Sequence, residues 1–277
     1  MELDNVNKPL VITYCNKYLT EKQENTTRFV ETLNTNNWEY VILGDNEIWN
    51  GFITKTKACN KFLKTLNPKK IIVIADAHDM YCLRDSLSFI EMFKKYKSNI
   101  VVSMELTGEG SVIYDKNKEY FQVTWLKNYF KYYNINYGHF TKKFVNAGLI
   151  CGYAQDLLEF TDYLIGNNYT DDQKGLGNYM NKYPEKIHAD IQAELLHTCV
   201  SMVCGGIQSY SQIHDSPSLN ELIGQKSFFI HIPGLAGSKG QLFLYNKVYE
   251  ILKIFNLKEL KLVYPQYNLE LFYKYYE

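Results

Sequence analysis

The six cysteines, Cys15, Cys59, Cys82, Cys151, Cys199 and Cys204, include no CxxC pair. That spacing excludes the usual structural zinc patterns and the dense disulfide framework of small secreted domains, so we expect reduced, mostly buried thiols. Neither sign of charge is in excess, with Lys plus Arg and Asp plus Glu at 30 each. Without a basic field, nucleic acid is not an expected partner, and without an acidic tract a solvating tail is not expected either. No apolar run approaches a membrane span, and residues 1–9 show no basic stretch leading into an apolar one. We therefore expect no membrane association, no secretory leader and a cytoplasmic location. Nucleotide-binding glycine fingerprints are also missing. Gly108-Glu-Gly110 lacks the third glycine of a dinucleotide loop, and the segment from Gly234 to Gly240 lacks the Gly-Lys-Ser/Thr ending of a phosphate loop. No repeat, linker or low-complexity break divides the chain, so residues 1–277 are read as a single domain.

What is present is an alternation of strand-like and helix-like segments. Strands are expected at residues 10–15, 38–43, 71–75, 100–104 and 227–232, and helices at 20–33, 52–66, 86–96, 155–164, 171–180 and 241–255. This predicts an α/β fold with a mainly parallel central sheet and flanking helices. Residues 107–136 break the pattern with a run of aromatics that reads first as core packing. The 24 Tyr and 15 Phe accompany a Lys/Asn/Ile-rich vocabulary, so we read them as a composition bias before a sugar-stacking surface.

The most informative stretch is residues 70–79, Lys-Ile-Ile-Val-Ile-Ala-Asp-Ala-His-Asp. A β-branched run without polar alternation is expected of a strand covered on both faces, and ligands bind where such strands end. Asp76 and Asp79 there offer hard oxygens to a divalent cation, which a nucleotide-sugar enzyme uses to neutralise a diphosphate leaving group. An Asp just past a strand is also a common helix cap, so the motif needs support from elsewhere. His231 ends a later apolar strand and precedes a Gly- and Lys-containing segment, although a lone histidine there is more often structural. Asn146 and Gly148 combine a hydroxyl-bridging amide with a position open to close approach. Asp171, Asp172 and Gln173 stand at a helix start, where acids also complement the helix dipole.

The order of these motifs carries a resemblance. Asp76-x-x-Asp79, Phe144-Val-Asn146-Ala-Gly148-Leu-Ile-x-Gly152, Asp171-Asp172-Gln173, Ile187-His-Ala-Asp190-x-x-Ala-Glu-Leu-Leu and Phe229-Ile-His231-x-x-Gly234 resemble, in sequence order, the glycosyltransferase domain of procollagen lysyl hydroxylases. They resemble still more the stand-alone collagen glucosyltransferases of giant viruses. The similarity spans about residues 8–250. It implies a GT-A-like nucleotide-diphospho-sugar transferase fold and a retaining glucosyltransferase. Such an enzyme uses Mn²⁺ and UDP-glucose and acts on galactosyl-hydroxylysine of a collagen-like protein acceptor. It maps the metal ligands onto Asp76, Asp79 and His231, and the catalytic acidic stretch onto Asp171, Asp172 and Gln173, with Asn146 beside them.

Thr13, Tyr14, Asp45 and Trp49, at or beyond the first two strand ends, are candidates for the uridine, and Lys55, Gly234 and Lys239 for the phosphates. Asp172 is the expected sugar-facing acid, with Asp190 next in line. The chain departs from the family at Ala77-His78, where Ser-Tyr is usual, and at Lys239, which comes later than the family's lysine. A UDP-galactose-dependent or other hexosyltransferase acting on hydroxylysine or a viral glycan is the enzymatic alternative. A non-catalytic sugar-nucleotide-binding module is the other, and a homodimer is allowed for.

Overall fold

The apolar run that opens at Ile71 forms β3 (Ile71–Asp76), a central strand of a single sheet in the computed structural model. The structure describes residues 8–16, 23–45, 47–106, 131–133, 142–198, 227–233 and 239–254. On one side of β3 lie β1 (Leu10–Tyr14) and then β2 (Glu39–Leu43), both parallel. On the other side lies β6 (Lys142–Tyr153), antiparallel to β3, followed by β5 (Ile100–Leu106). Beyond β5 come β8 (Leu196–Thr198), β9 (Phe229–His231) and the edge strand β4 (Met80–Cys82), while β7 (Ile187–Asp190) shares the β5 edge.

Both faces of β3 are covered, which is why its sequence shows no alternation. Ile72 and Ile74 join Ile12, Val102 and Ile150 in a core capped by α2 (Phe52–Leu63), α4 (Ala154–Gly166) and α5 (Asp172–Lys182). Val73 and Ala75 join Val11, Val101 and Leu149 in a second core under α1 (Gln23–Thr35) and α3 (Ser86–Phe93). The last helix described is α6 (Lys239–Ile254). No described helix is long and apolar enough to cross a membrane.

The expected α/β fold with a predominantly parallel sheet and flanking helices is the one observed. The differences are local. The glycine-bearing segment at 144–152 is a long antiparallel strand, and three short strands (β4, β7 and β8) were not expected. Strands of three or four residues are specified by their partners more than by their own pattern. Helix α2 stops at Leu63 rather than at residue 66, because Thr65 and Leu66 turn back on the carbonyls three residues earlier. Most of the aromatic segment 107–136 lies outside the described residues. Of the part described, Tyr133 packs against the first core and donates to the Pro184 carbonyl at 3.0 Å.

One irregularity bears on function. Val102 pairs with Ile150 but Ser103 pairs with Asn146, so Ala147, Gly148 and Leu149 bulge away from β5 while Leu149 keeps its register with Ala75. Bulges of this kind redirect side chains beside active sites.

Candidate active site

Three elements converge at the end of β3. Asp76 is its last residue, Asp79 follows a two-residue turn, and the antiparallel pairing of β4 with β9 sets His231 opposite Met80. The Asp79 carbonyl accepts from Ile232 N at 2.8 Å, which fastens the two ligand-bearing segments backbone to backbone. His231 Nε2 is 3.3 Å from Asp79 Oδ1 and 3.8 Å from Asp76 Oδ2. One ligand atom from each of the three residues lies within 4.8 Å of the others. Asp79 Oδ1 is buried and has no hydrogen-bond partner among the described residues. Two carboxylates and an imidazole so close suit a divalent cation that accepts mixed oxygen and nitrogen donors, as Mn²⁺ does. The residues expected to hold a metal therefore fit one.

Gly148 forms the floor. A Cβ there would stand 2.3 Å from His231 Cε1 and 2.6 Å from Asp76 Oδ2, so only glycine leaves both ligands in place. The bulge that brings it close is fixed by Asn146, whose Oδ1 accepts from Gly148 N at 2.9 Å. That carbonyl is engaged in shaping the strand. We expect Gly148→Ala to fold and to bind Mn²⁺ at least about tenfold more weakly, because it displaces ligands directly. Calorimetric Mn²⁺ titration checks this, and unchanged affinity would show that the ligand positions are not those required.

Lys55 connects the metal candidates to the acidic cluster. Its buried ammonium lies 2.9 Å from Asp76 Oδ1 and 2.8 Å from Asp172 Oδ2. Burial alone would lower the lysine pKa, but Asp172 and then Asp76 outweigh it and hold the ammonium well above its usual range. For Asp76, burial opposes ionisation, and Lys55, His231 and His78 together keep the carboxyl below the ordinary range. For Asp172, burial is the largest influence and raises the carboxyl, Lys55 opposes the rise, and the Asp76 charge adds to it. The phosphate role expected of Lys55 is thus preceded by another, since in this state it bridges two carboxylates.

The acidic pair at α5 divides its work. Asp171 is the N-cap, with its side chain accepting from Lys174 N at 3.0 Å. Asp172, one residue on, turns into the site, and Gln173 is half-buried in the same first turn. Asp190 is not an alternative sugar-facing acid. Its two oxygens accept from the backbone of Glu194, Leu195 and Leu196 and from the Tyr96 hydroxyl, so it organises the turn between β7 and β8.

On the far side of Asp76 lies an aromatic surface. Tyr14 is in register with Asp76 and packs against Trp49, with ring centroids 5.6 Å apart. Trp49 meets Phe52 at 5.8 Å, and both rings are substantially exposed. Gly44, at φ 94°, lies under the Tyr14 ring, where a Cβ would come within 2.6 Å of it. Burial, with Glu47 nearby, pushes the Tyr14 hydroxyl up to about 12. Asp45 is exposed in the turn after β2. Thr13 is in register with Ala75 and fully buried, one residue out of phase with Tyr14 and Asp76. His78, the departure between the two acids, has its Nδ1 3.0 Å from the Thr26 hydroxyl. Gly234 and the Lys239 side chain lie outside the described residues. Sequence reasoning missed Phe52, which carried no signal beyond its place at a helix start.

Among solved structures, a glycosyltransferase involved in glycosylation of the major capsid of PBCV-1 aligns over 88% of this chain and 99% of its own, at 11% identity and a TM-score of 0.49. The 2-C-methyl-D-erythritol 4-phosphate cytidylyltransferase of Francisella tularensis aligns over 65% of this chain and 90% of its own, at 10% identity and a TM-score of 0.38. No curated protein sequence matches. The family described as PLOD GT domain matches residues 7–202, a span that holds Asp76, Asp79, Asn146 and the acidic pair and ends before His231. The chain belongs to the PLOD glycosyltransferase-domain family.

Proposed function

We propose that the protein is a Mn²⁺-dependent retaining glucosyltransferase that moves glucose from UDP-glucose to galactosyl-hydroxylysine in a collagen-like acceptor. The observation that carries this reading is the convergence of Asp76, Asp79 and His231 with the Lys55–Asp172 pair in a chain of this family. When bound, the cation stabilises the negative charge that develops on the departing UDP. Asp76, Asp79 and His231 would hold it, and Gly148 leaves room for them. Trp49, backed by the buried Tyr14 ring, would offer the uracil a partly exposed aromatic face.

In the transfer, the bond from the glucose C1 to the β-phosphate oxygen breaks with its electrons leaving on UDP, while an acceptor hydroxyl oxygen bonds to C1 and its proton passes to the departing phosphate oxygen. Asp172 sits where a carboxylate would orient sugar hydroxyls and stabilise positive charge at C1. Lys55 keeps that carboxylate and Asp76 in one small volume, where two unpaired negative charges would repel.

Donor choice is tested with a panel of nucleotide sugars. With Mn²⁺ and a galactosylated collagen peptide, UDP-glucose is expected to give a kcat/KM roughly tenfold or more above UDP-galactose or UDP-N-acetylglucosamine. Each alternative misplaces or adds a group in a hydrogen-bonded sugar site. A higher kcat/KM with UDP-galactose replaces the glucosyl reading with a galactosyl one.

A further inference from the structure

Edge strands leave one row of backbone groups unpaired, and β4 is the edge strand that follows directly from Asp79. Its inward row is satisfied by β9 and its flanks, through Ile232 N to Asp79 O and Leu83 N to Phe228 O. On its outward side Cys82 is met by helix α1 and the residue just past it. Cys82 N donates to Thr32 Oγ1 at 3.0 Å, and Asn36 Nδ2 donates to the Cys82 carbonyl at 3.3 Å. Six residues before Thr32, Thr26 Oγ1 is 3.0 Å from His78 Nδ1, in the turn between the two metal acids. Thr26, Phe29 and Leu33 recur at helical spacing and, with Asn36 just past the helix end, are all buried, so one face of α1 and the residue after it meet the segment from His78 to Cys82.

The same helix also grips the segment that follows His231. Arg28 donates to Asn246 Oδ1 at 2.7 Å and lies 4.6 Å from the Tyr249 ring centroid. Tyr249 is bonded to Glu31, and the Tyr245 hydroxyl donates to the Asn25 carbonyl at 3.1 Å. Tyr81 of β4 stacks on Tyr245 at 4.5 Å and donates to its carbonyl at 3.1 Å, so the strand bearing Asp79 and the helix after His231 meet against α1.

We propose that α1 is the positioning element of the metal site, with Thr26 and Arg28 as its positioning residues. Thr26 sets the turn that spaces Asp76 from Asp79, and Arg28 docks the helix that follows His231. The inference rests on the metal reading of Asp76, Asp79 and His231. Groups that orient ligands without touching the metal typically change metal affinity by about ten- to a hundredfold when removed.

The test uses the full chain and Mn²⁺ alone, with binding followed by the loss of the free-ion electron paramagnetic resonance signal and folding by thermal melts. Thr26→Val keeps the side-chain shape and removes the hydroxyl, and Arg28→Met keeps the stem and removes the guanidinium. Each is expected to weaken Mn²⁺ binding about tenfold or more. Apo-protein melting should stay near that of the wild type, and the turnover lost at limiting Mn²⁺ should recover as Mn²⁺ is raised. Thr26→Ser should restore the affinity. Wild-type binding with unchanged affinity in Thr26→Val overturns this inference alone, even if Arg28→Met fails to fold. A wild-type protein that binds no Mn²⁺ overturns the metal reading and this inference together.

Discussion

Asp79→Ala is expected to reduce sugar transfer by on the order of a thousandfold, comparable to loss of a central electrostatic stabiliser of the leaving group. It should do so without weakening the ligand-free fold. Asp79 Oδ1 is buried and accepts no hydrogen bond among the described residues, a state that costs stability unless something positive approaches it. His231 Nε2 lies 3.3 Å from it. Replacing Asp79 removes an unsatisfied buried acceptor, so the apo-protein melting temperature should hold or rise. The rise in melting temperature that Mn²⁺ gives the wild type, by binding the folded state, should disappear. Lys55 is unaffected, since its partners are Asp76 and Asp172. A variant that melts lower yet turns over normally would make Asp79 a structural acid.

Asp172→Asn is the second large effect, and Asp171→Asn is its control. Asn replaces Asp at an N-cap with little loss, so Asp171→Asn should change stability by less than about 1 kcal/mol and leave turnover nearly intact. Asp172→Asn keeps shape and much of the hydrogen bonding while removing the charge beside Lys55. Lys55 retains Asp76, so the protein should fold and still bind Mn²⁺ and UDP. Transfer should fall by roughly a hundredfold or more, because a neutral amide does not stabilise positive charge at C1. Full kcat in Asp172→Asn would leave the pair as a helix start and nothing more. Asp190 would not then inherit the role, since its oxygens are already taken by three backbone amides and Tyr96.

Much of the frame was legible because it obeys local rules. The run from Ile71 to Ala75 announced a doubly covered strand by having no polar phase, and its two faces do fall into separate cores. The Asp-x-x-Asp motif was visible, but its partnership with His231 was not readable from spacing. It followed from the order of family motifs, and the β4–β9 pairing supplies the physical reason. Lys55 was legible as a phosphate candidate but not as a bridge between two acids. Its burial between two carboxylates depends on where β3 and α5 end, which no local pattern encodes. The bulge that Asn146 closes was not legible, because its register is set by β5. Thr26 carried no sequence signal, since a threonine inside a helix is ordinary until the edge strand it serves is known.

The most direct test is transfer from UDP-glucose after metal is stripped with EDTA and then restored. The account predicts that transfer is lost in EDTA and returns on addition of Mn²⁺ in the wild type but not in Asp79→Ala. Wild-type rates in EDTA would contradict it, because Asp76, Asp79 and His231 would then be gathered for something other than a cation.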